Sequence, residues 1–276
     1  MKKILVPVDF SHNSSDALRF AGEIAFKSGA EIFAIHVYSG TRPLKNIAPI
    51  IEDKMLTFTM HALRRHDRLK LSVKYSFHVV SNTKFLAGIL SSGMLAEMDL
   101  VVMGTKGADG LKSVFIGSNT FNLAQKIDKP IIAVPRNTFF QQMKRILFCS
   151  DFNNHQNIER LKPLKDLALL FNSEVRICHI RTNSEEHPSG EHMSESVEED
   201  NFFGEDVKHT FKIINAGNIL NGINNYLQVK SDIDMVAVVN HKRSTMTSLF
   251  RTDHAKKLAF HANMPLLILS DTGVKA

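Results

Sequence analysis

"KKILVPVDFS" at Lys2–Ser11 and "KRILFCSDFN" at Lys144–Asn153 are one phrase written twice, with Asp9 over Asp151 and Phe10 over Phe152. Each is a short apolar run that ends on an aspartate, the pattern of a buried strand entering a loop. The repeat continues outward from this pair. "AEIFAIHVYS" (Ala30–Ser39) returns as "SEVRICHIRT" (Ser173–Thr182), which matches His36 with His179. "YSFHVV", "MDLVVMG" and "KPIIAVP" return as "HTFKII", "IDMVAVVN" and "MPLLILS". Five apolar segments recurring in one order mark an internal duplication.

Stretches of helical periodicity separate the segments. In "SSDALRFAGEIAFKSGA", Ala17, Ala21, Ile24 and Ala25 share a face, Ser14 is placed to cap the start and Gly29 the end. Further helices are expected at about Ile50–Leu69, at Thr83–Leu95 and after Gly117. Near-continuously apolar strands alternating with helices imply an α/β fold with a parallel sheet covered on both faces. The expectation is two tandem open parallel five-stranded sheets with helices on both faces, as domains 1–139 and 143–276. The boundary falls in "RNTFFQQMK" (Arg136–Lys144), too short for a free linker. Between the second and third strands of the second half, "NSEEHPSGEHMSESVEEDNFFGED" (Asn183–Asp206) replaces a helix with a solvated acidic loop.

Composition limits the function. At 276 residues and 43% hydrophobic, the chain can bury a sizeable core. Its apolar runs are far short of the ~20 residues of a membrane helix, and no signal-like start precedes the first strand, so a cytoplasmic protein without membrane attachment is expected. The net charge of +6 is unevenly spread. Residues 1–141 hold 18 Lys+Arg against 11 Asp+Glu, and the remainder 16 against 17. With no interleaved aromatics and no helix-turn-helix pattern, nucleic acid is not an expected partner. Cys149 and Cys178 sit in apolar runs and suit buried, reduced thiols better than a disulfide or zinc framework.

The chemistry-bearing stretch is "MGTKGADGLKSVFIGSNTF", Met103–Phe121. In an open parallel sheet, ligands bind where loops leave the carboxyl ends of strands, and a following helix offers unpaired N–H groups. Gly104 and Gly107 let a ligand approach the backbone, Lys106 adds a cation, and Gly117 opens a helix that Ser118 would cap. The N–H groups of Ser118, Asn119 and Thr120 then suit phosphate. Neither a Walker loop nor a G-x-G-x-x-G fingerprint is present. What stands here is G-x2-G-x9-G-S, at Gly104, Gly107, Gly117 and Ser118.

Together with "ILVPVDFS", "IHVY", "DLVVMGTKG" and "KPIIAVP", this pattern resembles the universal stress protein family in its tandem two-domain form, over nearly the whole chain. The resemblance implies the adenine-nucleotide α-hydrolase-like fold and ATP or a related adenine nucleotide, accompanied or not by Mg²⁺. By carry-over, Pro7, Val8, Asp9 and Val37 surround the adenosine, while Met103, Gly104, Gly107, Gly117, Ser118, Asn119 and Thr120 line the phosphate path. It also implies a pseudo-twofold pair, an intramolecular pseudo-dimer with Ile131–Val134 beside Leu266–Leu269. A further homodimer and an unidentified protein partner stay open.

The second half departs from the pattern. "VNHKRSTMTSLFRTDHAKK" sets Asn240 against Gly104, Arg243 against Gly107, and Thr252 and Asp253 against Gly117 and Ser118, one residue shorter overall. An Asp253 carboxylate at a helix start would occupy the N–H groups that phosphate needs, so this site is expected to be degenerate. No catalytic and no metal residue is assigned: Ser118 lacks a visible His/Asp partner, and His36 and His179 suit a repeated fold feature. The expected role is a nucleotide-dependent regulatory module in stress response. The alternatives are a slow ATPase or phosphoryl-transfer enzyme, and a ligand-free stress scaffold.

Overall fold

A computed structural model of the chain describes residues 1–64, 66–105, 117–138, 140, 142–150, 158–181, 203–240 and 264–270, with backbone alone at 150, 158, 219 and 220. The described residues fall into two compact units that divide after Phe140.

The first unit begins with β1 (Lys3–Pro7), α1 (His12–Ser28), β2 (Glu31–Tyr38), α2 (Leu44–Ala62), α3 (Asp67–Ser72) and β3 (Lys74–Ser81). It continues with α4 (Phe85–Ser91), a 3₁₀ turn at Met94–Glu97, β4 (Leu100–Gly104), α5 (Ser118–Ala124) and β5 (Ile131–Val134). Its strands lie in the order β3-β2-β1-β4-β5, and each neighbouring pair is parallel. The order reverses between β1 and β4, the position at which open α/β sheets bind ligands. The central strands are apolar because both faces are covered: Ile4, Leu5, Val6, Leu100, Val101 and Val102 are all fully buried. His36 on β2 faces Phe58 of α2 through Phe10, whereas its neighbour Val37 faces Gly88 of α4. Alternation along the strand therefore puts α2 on one side and α4 on the other.

Helix ends differ from expectation in instructive ways. In α1, Ala17, Ala21, Ile24 and Ala25 are buried as expected, and Gly29 closes the helix in the left-handed region at φ 72°. The N-cap is Ser11 rather than Ser14: Ser11 Oγ accepts from the Ser14 N–H at 3.3 Å, and Ser14 Oγ donates to the Ser11 carbonyl at 3.0 Å. The single helix expected at 50–69 is two, α2 and α3, broken around Leu63–His66. Leu63 and Leu69 are both fully buried. Six residues apart, they would project about 120° apart on one continuous helix, and the break lets both face inward. The helix expected at 83–95 ends at Ser91, because Gly93 turns left-handed at φ 70° before the 3₁₀ turn.

The second unit repeats the plan with β6 (Arg145–Ser150), α6 (Lys162–Phe171), β7 (Glu174–Arg181), β8 (His209–Asn215), α7 (Ile219–Val229), β9 (Met235–Asn240) and β10 (Leu266–Ser270). Its order is β10-β9-β6-β7-β8, again parallel. Residues 183–202 of the expected acidic loop lie outside the described residues. The remainder is not solvated throughout: Phe203 is fully buried, its ring 5.8 Å from that of His209, and Val207, the first residue after the loop, is buried too.

Candidate functional site

The register fixes which residues share the carboxyl edge of the first sheet. Pro7 pairs with Ile35, so Val8 and Asp9 leave β1 alongside His36 and Val37. On the other side, β4 pairs with β1 through Ile4–Leu100 and Leu5–Val101, which carries Met103 and Gly104 to the same edge. Pro7, Val8 and Met103 are buried, Val37 is half-buried, and Asp9 is exposed. Three neighbouring parallel strands thus bring six of the expected residues together.

The loop after β1 is tightly built. The Val8 N–H donates to the Ile35 carbonyl at 2.8 Å, and the Val8 carbonyl meets His36 Nδ1 at 2.7 Å. Phe10 adopts φ 64°, a left-handed conformation that is a real outlier for a bulky side chain. Its ring is fixed by His36 at 4.8 Å and Phe58 at 5.6 Å, with Lys54 Nζ 4.0 Å from the ring centroid. The reversal at Phe10 sends its ring under α2 while Asp9 stays at the strand edge. Asp9 Oδ1 accepts from the Ser11 N–H at 3.0 Å and from Ser11 Oγ at 2.5 Å. Partial desolvation pushes the Asp9 carboxyl up, but the Ser11 hydroxyl and N–H and the Ser14 hydroxyl outweigh it and hold it below its ordinary 3.8. Asp9 is therefore a fixed carboxylate acceptor at neutral pH.

Gly104 also has a reason within the fold, which the sequence does not suggest. A Cβ there would stand 2.5 Å from the Asn13 carbonyl oxygen and 2.7 Å from the Asn13 Cβ, so the first turn of α1 fills the space beside it. The missing side chain lets α1 close on β4. Beyond it, the buried Thr105 ties β4 to β5, with its N–H 2.9 Å from the Val134 carbonyl. Lys106 and Gly107 lie outside the described residues. At α5 the N-cap is Gly117, and Ser118 is the first helical residue, with no side-chain cap bond. Ser118 and Asn119 are exposed, while Thr120 is buried and its hydroxyl has no hydrogen-bond partner among the described residues. Val37 packs against α4, because a Cβ on Gly88 would stand 2.6 Å from Val37 Cγ1.

Sequence reading missed Ser11, Asn13 and Asp16. A hydroxyl two residues after Asp9 is a signal for an Asx turn and pointed to Ser11. Asn13 carried none, because its role depends on a β4 residue distant in sequence. Asp16 is 3% exposed and accepts from Arg19 and from the Asn137 N–H, the latter at 2.9 Å, which fastens the exit of β5 to α1. Among the described residues, no group of three His, Cys, Asp or Glu side chains could hold a metal ion.

The second unit requires a correction. Leu5 pairs with Val101 and Leu147 with Val236, while Val101 pairs with Ile131 and Val236 with Leu266. The counterpart of Gly104 is therefore Val239, and Asn240 corresponds to Thr105; these last two are both buried polar residues. Counted from Val239, Thr252 lies as far along as Gly117 does from Gly104, so the supposed one-residue deletion disappears. Matching by residue type had missed this because the strand's apolar run hides its own phase. Arg243, Thr252 and Asp253 lie outside the described residues.

Comparison with known proteins is consistent with this architecture. The family model for the universal stress protein family matches residues 1–135. Universal stress protein MJ0531 of Methanocaldococcus jannaschii is 26% identical over 144 residues, covering 49% of this chain and 82% of that protein. MJ0577 of the same organism is 25% identical over 155 residues, covering 49% and 95%. A crystal structure of a universal stress protein from Archaeoglobus fulgidus shares the fold at a TM-score of 0.66 and 16% identity, covering 97% of this chain and 96% of that one. With residues 1–135 matched to the family model and the parallel α/β sheet that goes with them, the first unit of this chain belongs to the universal stress protein family.

Proposed function

We propose that the first unit, residues 1–139, binds ATP or a related adenine nucleotide at the carboxyl edge of β1, β2 and β4, and that the second, residues 143–276, carries a degenerate site. The observation that carries this reading is the gathering of Asp9, Val37 and Gly104 on three adjacent strand ends at the reversal of strand order. Asp9, held as a carboxylate, suits the hydroxyls of a ribose. Gly117–Thr120 offer helix N–H groups to phosphate, with Mg²⁺ as an accompanying ion. In the second unit Val239 replaces Gly104 and Asp253 replaces Ser118, which removes the close backbone approach and adds a competing anion.

The role that fits is a cytoplasmic, nucleotide-dependent regulatory module that hands its bound state to a protein partner. Calorimetric titration of the full chain with ATP tests it. One nucleotide per chain is expected, with binding lost in Asp9→Ala while circular dichroism stays unchanged. Two equivalent nucleotides would overturn the degenerate second site, and no binding would overturn the nucleotide reading.

A further inference from the structure

Cys149 and Cys178 are 29 residues apart in sequence, yet they are register partners on β6 and β7. Both are free thiols and each is 1% exposed. Neighbouring parallel strands lie about 4.8 Å apart and register partners project to the same face. That spacing falls within the Cα separation of about 4.4–6.8 Å that a disulfide spans. The next register partner, on β8, is Lys212, whose Nζ lies 5.9 Å from the Tyr226 ring of α7. The equivalent row in the first unit is Pro7, Ile35 and His78, with no sulfur. A thiol pair beside an ammonium is thus peculiar to the second unit.

We propose that Cys149 and Cys178 are a redox-active dithiol, converted by a small uncharged peroxide into an intramolecular disulfide between β6 and β7. Burial pushes both thiols up, and for Cys178 the Lys212 charge pulls the other way, leaving it at about 12. Cys178 is therefore the attacking sulfur. Its thiolate displaces hydroxide from the peroxide: an S–O bond forms, the O–O bond breaks, and the hydroxide takes up a proton as water. Cys149 Sγ then attacks the Cys178 sulfur. The S–S bond forms, the S–O bond breaks, and the departing hydroxyl leaves as water with the Cys149 proton. Two thiols and one hydrogen peroxide give one disulfide and two waters. Protonated, buried thiols make this a slow reaction, unlike that of an exposed, low-pKa sensor thiol.

The test is hydrogen peroxide treatment of the full chain, followed by unfolding, alkylation and peptide mass spectrometry. The expected product has lost two hydrogens, contains a peptide linking Cys149 to Cys178, and returns to two alkylatable thiols on reduction. Cys149→Ala and Cys178→Ala should each abolish the linked peptide. Met60, 48% exposed, reports whether the oxidant acted. Oxidised Met60 with both thiols still alkylatable, sulfinic acid in place of the link, or disulfides joining two chains would each overturn the proposal.

Discussion

The two units agree at the amino ends of their strands and part company at the carboxyl ends. Asp99 accepts from the backbone N–H groups of Lys2 and Lys3 at 2.5 and 3.0 Å, and Asp234 repeats this on Lys144 and Arg145 at 2.6 and 2.9 Å. One contact is also kept at the carboxyl edge: Gly88 lies against Val37 as Gly222 lies against Ile180, each leaving 2.6 Å to a built Cβ. Gly29 and Asn172 both end the first long helix of their unit in the left-handed region. At the other edge, Gly104 becomes Val239 and the Pro7–Ile35–His78 row becomes Cys149–Cys178–Lys212. The fold is held by backbone satisfaction and helix–sheet contact, which both copies need. The proposed nucleotide site lies at the carboxyl edge, where the copies differ in residue type.

The sharpest way to break this comparison is Gly104→Val, which writes the second unit's residue into the first. The added side chain collides with the Asn13 backbone, and a loss of roughly 3 kcal/mol is expected from overpacking. Urea denaturation measures it, and a near-neutral result would mean that α1 is not seated against β4. Next, ATP at a hundredfold its Kd should stabilise the first unit by about 2.7 kcal/mol. Hydrogen exchange should show added protection at β1 and β4 and none at β6 and β9; equal protection in both would erase the contrast.

Gly88→Ala and Gly222→Ala should cost about 2 kcal/mol each, since a side chain rather than backbone must give way. Similar costs would confirm that this contact belongs to the fold, and a cost at Gly88 alone would tie it to the site. The smallest effect expected is at Asp99. Desolvation raises its carboxyl, but the N–H groups of Lys2 and Lys3 outweigh it and lower it below 3.8. A depressed folded-state value adds stability above the unfolded pKa, lost as pH falls through the folded one. Asp99→Asn should cost about 1 kcal/mol at pH 7, discounted for exposure. Its deficit should vanish in acid below that range, and a deficit unchanged down to pH 2 would contradict the assignment.

Much of the fold was legible because the duplicated phrases fall on strands, and buried parallel strands must be apolar. Helix ends were less legible. Ser11 and Ser14 both suit a cap, and only the start of α1 at His12 decides between them. Site residues at strand ends could be read from motif order, whereas their physical reasons could not, since Gly104 meets Asn13 from a distant part of the chain.

By itself, the sequence determined the duplication, the α/β class and the apolar strands, because these rest on local periodicity and on counting. Tertiary structure alone decided that Val239 is the counterpart of Gly104, that Asp16 holds Asn137 and that two distant cysteines lie side by side. Register and contact between elements are set by how whole strands align and pack, and no single stretch of chain encodes that.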